Sequence, residues 1–272
     1  MTLKEAYSYS VQFLTRNGVE EADFKALCLC CHLTGITNSQ YAAHQADELM
    51  PGPLAKMLWR VKEGEPLQYV LGSWDFYESE FQVGRGVLIP RPETEELVAL
   101  ALKTAEAYAA PVVVDLCAGS GCIGVSIAKK RRDSRVFCVE KSADAFVYLE
   151  KNAASCENVT AVLGDLRDEL PVLPADLLVS NPPYIKSALL PTLQKEVQYE
   201  PLMALDGGSD GLDFYRWINA LWAKRLKPGG VLLLEIGDDQ GSTVPALLTN
   251  FKDIEVRKDL YGNDRMVLAY VK

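Results

Sequence analysis

The chain has 272 residues, 49% hydrophobic and 24% charged, a balance that suits a folded protein with length for about two domains. No run of about 18 uncharged apolar residues occurs, so no helical membrane span is expected. The net charge of −9, from 37 acidic and 28 basic residues, includes no long basic run. It argues against a large phosphate-binding face and against nucleic acid as the main partner.

The opening MTLKEAYSYSVQFLTRNG is mixed and charged and lacks a signal peptide's apolar core, so a cytoplasmic location is the expectation. Thr2 to Glu5 reads as a capping box that starts a helix with Ala6, Tyr9, Phe13 and Leu14 on its apolar face. Asn17-Gly18 stops it. A second helix is predicted from about Glu20 to Leu33, a third from about Ser39 to Leu49, and a fourth after Pro51-Gly52-Pro53.

Seven cysteines, an odd number, give no disulfide framework. The cluster Cys28, Cys30, Cys31, His32 would bring Cys28 toward Cys31 and His32 on a helix. No second Cys/His pair at zinc-site spacing follows, and His44 stands alone. Buried helix core is the reading, and no metal is expected.

Between Gln68 and Pro90 the pattern turns β-rich, a hairpin or small sheet. From about Thr94, helices alternate with aliphatic strands at Val112–Leu116, Val136–Glu140, Thr160–Leu163, Leu177–Ser180 and Val231–Ile236. That alternation predicts an α/β fold with a mainly parallel sheet. Segments near Ile254–Arg257 and Met266–Val271 read as closing strands.

Three motifs carry chemistry. The first strand runs into Cys117-Ala118-Gly119-Ser120-Gly121 and then a helix, a turn whose glycines admit a ligand close to the backbone. Nineteen residues after Gly121, at the end of the next strand, Glu140 can accept both hydroxyls of a ribose. No Walker lysine or pyrophosphate cradle is present, so S-adenosyl-L-methionine fits better than NAD. Second, Gly164-Asp165-Leu166 ends the third strand, either as a plain turn or as an acceptor for the adenine amine.

The third motif is Asn181-Pro182-Pro183-Tyr184. The two prolines remove N–H donors and lock the backbone, and the asparagine before them is held extended. What remains is a stiff edge of acceptors, the Asn181 side-chain oxygen and the Pro182 carbonyl, with the flat Tyr184 beside them. A planar group bearing NH₂ is the guest that fits.

These residues resemble the amino-methyltransferases that use S-adenosylmethionine. Gly64–Val98, with LIPRPETEEL inside it, and Glu200–Ile218 resemble one branch, the peptide chain release factor N5-glutamine methyltransferase family, over nearly the whole chain. The resemblance implies a Rossmann-like methyltransferase domain over 88–272 and a β-hairpin linker over 67–87. It also implies a small N-terminal helical domain over 1–66 that grips the protein substrate. It implies cofactor contacts at Cys117–Gly121, Glu140, Asp165, Leu166 and Asn181, and glutamine binding by Asn181, Pro182, Pro183 and Tyr184, with Arg91 bordering the pocket. Asn181, Pro182 and Tyr184 would carry catalysis. Cys117-Ala118 and Leu166 depart from the family's more usual Gly-Thr pair and aromatic residue. An adenine-N6 nucleic-acid methyltransferase is the alternative, because adenine also presents a flat NH₂.

Overall fold

The structure, a computed structural model, describes residues 1–272. Two compact units divide the chain: Met1–Ser73 with Gln194–Tyr199, and Trp74–Leu193 with Glu200–Lys272.

In the first unit, α1 (Leu3–Arg16) opens on the expected capping box. The Glu5 N–H donates to Thr2 Oγ1 at 3.2 Å, and the Thr2 N–H donates to Glu5 Oε2 at 2.8 Å. The buried face differs from the expected one: Leu3, Ala6, Ser10 and Leu14 are buried, while Tyr9 is exposed and stacks on Phe13. Ser10 tolerates burial because its hydroxyl donates to the Ala6 carbonyl at 2.7 Å.

The next helix, α2 (Ala22–Thr34), ends at Gly35 and carries Cys28, Cys30 and Cys31 into the core, with His32 exposed. Burial pushes the Cys30 thiol up to about 11. No long helix follows over Ser39 to Leu49. A 3₁₀ turn, Asn38–Ala43, gives way to irregular backbone. None of residues 39–48 is buried, so a helix there would have no apolar stripe to pack. The backbone is drawn to the chain start instead, with the Leu3 N–H on the Asp47 carbonyl and the Leu49 N–H on the Met1 carbonyl. Arg60 of α3 (Pro51–Lys62) donates to the Tyr69 carbonyl of α4 (Leu67–Leu71) at 3.1 Å and forks onto buried Glu65 in the connection at 2.8 and 2.9 Å. The β-rich reading of Gln68 onward therefore begins one helical turn too early.

From Trp74 on, the second unit holds the rest of the hairpin β1 (Ser73–Phe76) and β2 (Ser79–Gln82), turned by Tyr77 and Glu78 at φ +44° and +60°. Helix α5 (Pro92–Ala105) follows, with proline in its first turn and Glu93 and Glu95 at its positive end. Then come β3 (Val112–Leu116), α6 (Cys122–Lys130), β4 (Arg135–Glu140), α7 (Ala143–Ala153), β5 (Val159–Leu163) and β6 (Ala175–Ser180). After a long connection, α8 (Asp213–Trp217), β7 (Leu226–Glu235), α9 (Thr243–Leu247), β8 (Phe251–Lys258) and β9 (Asp264–Val271) complete the chain.

Seven strands form one sheet in the order β5-β4-β3-β6-β7-β9-β8. The first five run parallel, and β9 lies antiparallel to both its neighbours. Strands β3 and β6 are buried along their whole length because both faces are covered. Val113 packs with Leu97 and Val125 on one face, and Val114 packs with Tyr215 and Trp222 on the other.

Strand order reverses between β3 and β6, where open α/β sheets bind ligands beyond the strand ends. Leu116 is in register with Ser180, and the Ser180 hydroxyl donates to the Leu116 carbonyl at 2.6 Å. The glycine loop and Asn181 therefore leave the sheet side by side.

Candidate active site

A cavity of about 370 Å³ opens at this crevice, a size suited to a small-molecule ligand. Cys117, Ala118, Gly119 and Ser120 form part of its wall, as do Glu140, Asp165, Leu166, Asn181, Pro183 and Arg91. Gly121, Pro182 and Tyr184 are not on that wall. Gly121 turns the chain into α6 at φ +81°, and a Cβ there would meet Leu149 Cδ1 at 2.5 Å. Pro182 is buried, and the half-buried Tyr184 packs against the core face that holds Tyr215 and Trp222.

Glu140 is fixed by two backbone donors, the Gly119 N–H on Oε2 and the Ser142 N–H on Oε1, each at 2.7 Å. Burial raises its pKa and these donors oppose that shift. The carboxylate thus joins the glycine loop to the start of α7, with lone pairs left over for ribose hydroxyls. Behind the loop lies Asp115, fully buried. Its Oδ2 accepts from the Gly124 N–H at 2.9 Å, while Oδ1 has no hydrogen-bond partner. Burial pushes this carboxyl up to about 8. Ser120 Oγ, on the cavity wall, is also buried without a partner. An orphaned hydroxyl beside a glycine cradle fits a ligand with a polar tail, as S-adenosylmethionine has.

Asp165 is more heavily engaged than the sequence suggested. The Arg167 guanidinium holds its carboxyl well below the usual carboxylate range, with Nη2 on Oδ2 at 2.6 Å, and Lys141 adds a second cation at 3.0 Å. Arg167 also lies over the Trp217 ring, 4.8 Å from its centroid. Leu166 is buried, and its carbonyl accepts from Trp222 Nε1 at 2.8 Å.

Aromatic surface reaches the cavity from elsewhere: Phe214 and Trp217, edge to face at 5.0 Å, both line it. The sequence reading missed this pair, although its three-residue spacing in DFYRW puts both rings on one side of a helical turn.

Two further residues were missed. Asn181 Nδ2 donates to Thr94 Oγ1 at 3.1 Å, and Thr94 Oγ1 donates to Glu235 Oε2 at 2.6 Å. A glutamate inside the aliphatic run LLLEIG was the available signal, because a buried charge demands a partner.

A parallel sheet reversing at β3, a glycine loop and an acid at the end of β4 together define an α/β methyltransferase of the S-adenosylmethionine-dependent class. Residues 95–196 match the methyltransferase small domain, and residues 5–72 match the PrmC N-terminal domain. The release factor glutamine methyltransferase of Moorella thermoacetica is 37% identical over 99% of both chains. The one from Geobacter sulfurreducens is 40% identical over 98% of this chain and 95% of its own. The chain belongs to the release factor glutamine methyltransferase family.

Solved structures agree on the fold. The hMettl16 catalytic domain in complex with MAT2A 3′UTR hairpin 6 has a TM-score of 0.56 at 13% identity, covering 81% of this chain and 82% of that one. M. jannaschii TYW2 in complex with AdoMet has a TM-score of 0.50 at 20% identity, covering 73% and 84%. No helix is long and apolar enough to cross a membrane.

Proposed function

We propose that this protein transfers a methyl group from S-adenosylmethionine to the side-chain amide nitrogen of a glutamine in a peptide chain release factor. The observation that carries the reading is Asn181, which shares one cavity wall with Gly119, Ser120 and Glu140. The helical first unit grips the protein substrate, and the reaction takes place in the cytoplasm.

Gly119, Ser120 and Glu140 would hold the cofactor's amino-acid and ribose ends, with Asp165 and Leu166 on the adenine side. Bound at this site, S-adenosylmethionine would supply an electrophilic methyl on a sulfonium, and the amide nitrogen accepting it would release one N–H proton to solvent. A carboxamide nitrogen is a weak nucleophile because its lone pair is shared with the carbonyl. Asn181 Oδ1, on the cavity wall, accepts an N–H of the amide, aims the lone pair and favours the positive charge that grows on nitrogen. Pro182 and Pro183 keep that edge rigid, and orientation of this kind supplies as much as about 7–11 kcal/mol of barrier reduction. Tyr184 anchors the end of that edge to the core. Burial drives its phenol pKa upward, so the ring stays neutral and is no base.

Mass spectrometry of the glutamine-bearing peptide of a release factor, after incubation with enzyme and S-adenosylmethionine, tests the reading. One added methyl that disappears with Asn181→Ala is the expected result. Methyl on DNA adenine with none on the factor would overturn it in favour of the nucleic-acid alternative.

A further inference from the structure

Asn181 has an ambiguous side chain, since an amide can face a guest with its oxygen or with its NH₂. Only the oxygen can accept from a glutamine N–H, so something must set the flip. Sequence offers no candidate, because neighbouring Pro182 has no N–H and Ser180 is spent on the Leu116 carbonyl.

We infer that Thr94 and Glu235 are positioning residues that lock the Asn181 amide with its oxygen toward the methyl-accepting nitrogen. The proposal rests on the reading above, in which Asn181 holds the glutamine. Its basis is the direction of the hydrogen bonds. An ionised carboxylate can only accept, so Glu235 Oε2, 2.6 Å away, takes the single Thr94 hydroxyl proton. Thr94 Oγ1 is left with lone pairs alone on the Asn181 side. It can receive the Asn181 NH₂ at 3.1 Å but has no proton for the oxygen. The wrong flip would set Oδ1 against a hydroxyl oxygen with no hydrogen between them. Thr94 and Glu235 are each 2% exposed, so water cannot substitute freely. Three separated segments supply the three groups: the first turn of α5, the end of β6 and the end of β7.

The direction depends on Glu235 being ionised. Around it stand Arg265 from β9, Arg91 and Glu93 at the start of α5, Tyr184 after β6, Tyr215 from α8 and Cys122 from α6. Burial outweighs the two arginines and pushes the Glu235 carboxyl up to about 7. Below that pH the protonated carboxyl becomes a donor to Thr94, the hydroxyl proton is released toward Asn181, and the lock is lost. Methyl transfer therefore falls as pH drops through about 7.

The test compares Thr94→Val, Thr94→Ser and Glu235→Gln in the full chain, with thermal unfolding to establish that each folds. Thr94→Val should lower kcat by about 100-fold, the size expected when a reacting group is misplaced by an ångström. Calorimetric affinity for S-adenosylmethionine should hold. Thr94→Ser should recover most of the loss. Glu235→Gln should flatten the acid limb of the kcat profile, which a merely structural role would leave in place.

Side-chain amide NMR of Asn181 gives a readout independent of transfer. Its NH₂ should be protected from exchange in the parent and exposed in Thr94→Val. Unchanged protection in Thr94→Val, or loss of kcat and cofactor affinity in parallel, would overturn the lock. An unmethylated release factor beside a protected Asn181 amide would overturn the functional reading and leave the lock standing.

Discussion

Gly211 sits so close to the Tyr184 carbonyl that a Cβ on it would come within 2.4 Å of that oxygen. Gly207 is packed against the same backbone, 2.8 Å from Tyr184 Cα and 2.9 Å from the Pro183 oxygen on the same measure. Gly207 N–H also donates to the Ile185 carbonyl at 2.8 Å, and the Ile185 N–H donates to the Leu205 carbonyl at 3.0 Å. The stretch LDGGSDG is thus a brace laid along the Asn-Pro-Pro-Tyr edge. Gly207→Ala adds only the contact, while Gly211→Ala also places a side chain at φ +77°, where a Cβ costs about 1–2 kcal/mol. Both should reduce kcat with little change in cofactor affinity, and Gly211→Ala should lose several degrees more in Tm. Equal melting points for the two would show that backbone strain at Gly211 is absent.

Glu140 makes a different prediction, on affinity. Its two oxygens each accept one backbone N–H at 2.7 Å, and they face the cavity where ribose would lie. Glu140→Gln keeps one acceptor but turns an NH₂ toward a backbone N–H. A charge-assisted hydrogen bond contributes about 1.5–3 kcal/mol. Calorimetry should therefore show S-adenosylmethionine binding weakened by at least about tenfold. Full affinity in the variant would mean that ribose recognition lies elsewhere on the wall.

Much of this site was legible in the sequence, for a definite reason. Val112–Leu116 and Leu177–Ser180 are continuous aliphatic runs because both faces of their strands are covered, and such runs stand out. Once they are adjacent and parallel, the glycine loop and Asn181 must emerge together. What stayed hidden was partner choice across separated segments. Thr94 reads as an ordinary residue in the first turn of a helix, and nothing local connects it to residues 181 and 235. The face of α1 was misjudged similarly: Tyr9 and Ser10 exchange places relative to hydrophobicity because Ser10 satisfies its hydroxyl on the Ala6 carbonyl.

Asp115 should leave a mark on stability as pH changes. Its carboxyl titrates near 3.8 when unperturbed and is pushed up to about 8 in the folded protein, chiefly by burial. The folded chain then holds a proton that the unfolded chain has released, so between about pH 4 and 8 stability falls as pH rises, by up to about 1.4 kcal/mol per pH unit. Below that window both states are protonated and the contribution is fully present. Asn at this position accepts from the Gly124 N–H without ionising. The difference in Tm between Asp115→Asn and the parent should therefore shift in the variant's favour from pH 5 to pH 8. A difference that stays constant across this range would mean Asp115 is ionised in the fold at pH 5.

Glu200 anchors the cavity wall formed by Arg91 and Pro201. Its side chain is 2% exposed, accepting Arg91 Nη2 on Oε1 at 2.5 Å and the Ile89 N–H on Oε2 at 3.0 Å. The two contacts differ in worth. Orphaning a buried N–H costs about 1–3 kcal/mol, whereas the arginine side chain is 31% exposed and solvent screens much of its attraction. Glu200→Gln keeps an oxygen for Ile89 and loses only charge, while Glu200→Ala loses both. Melting temperatures should fall in the order parent, Gln, Ala, with the larger step between Gln and Ala. If the larger step instead separates parent from Gln, and high salt erases it, then the Arg91 charge rather than the Ile89 backbone holds this wall in place.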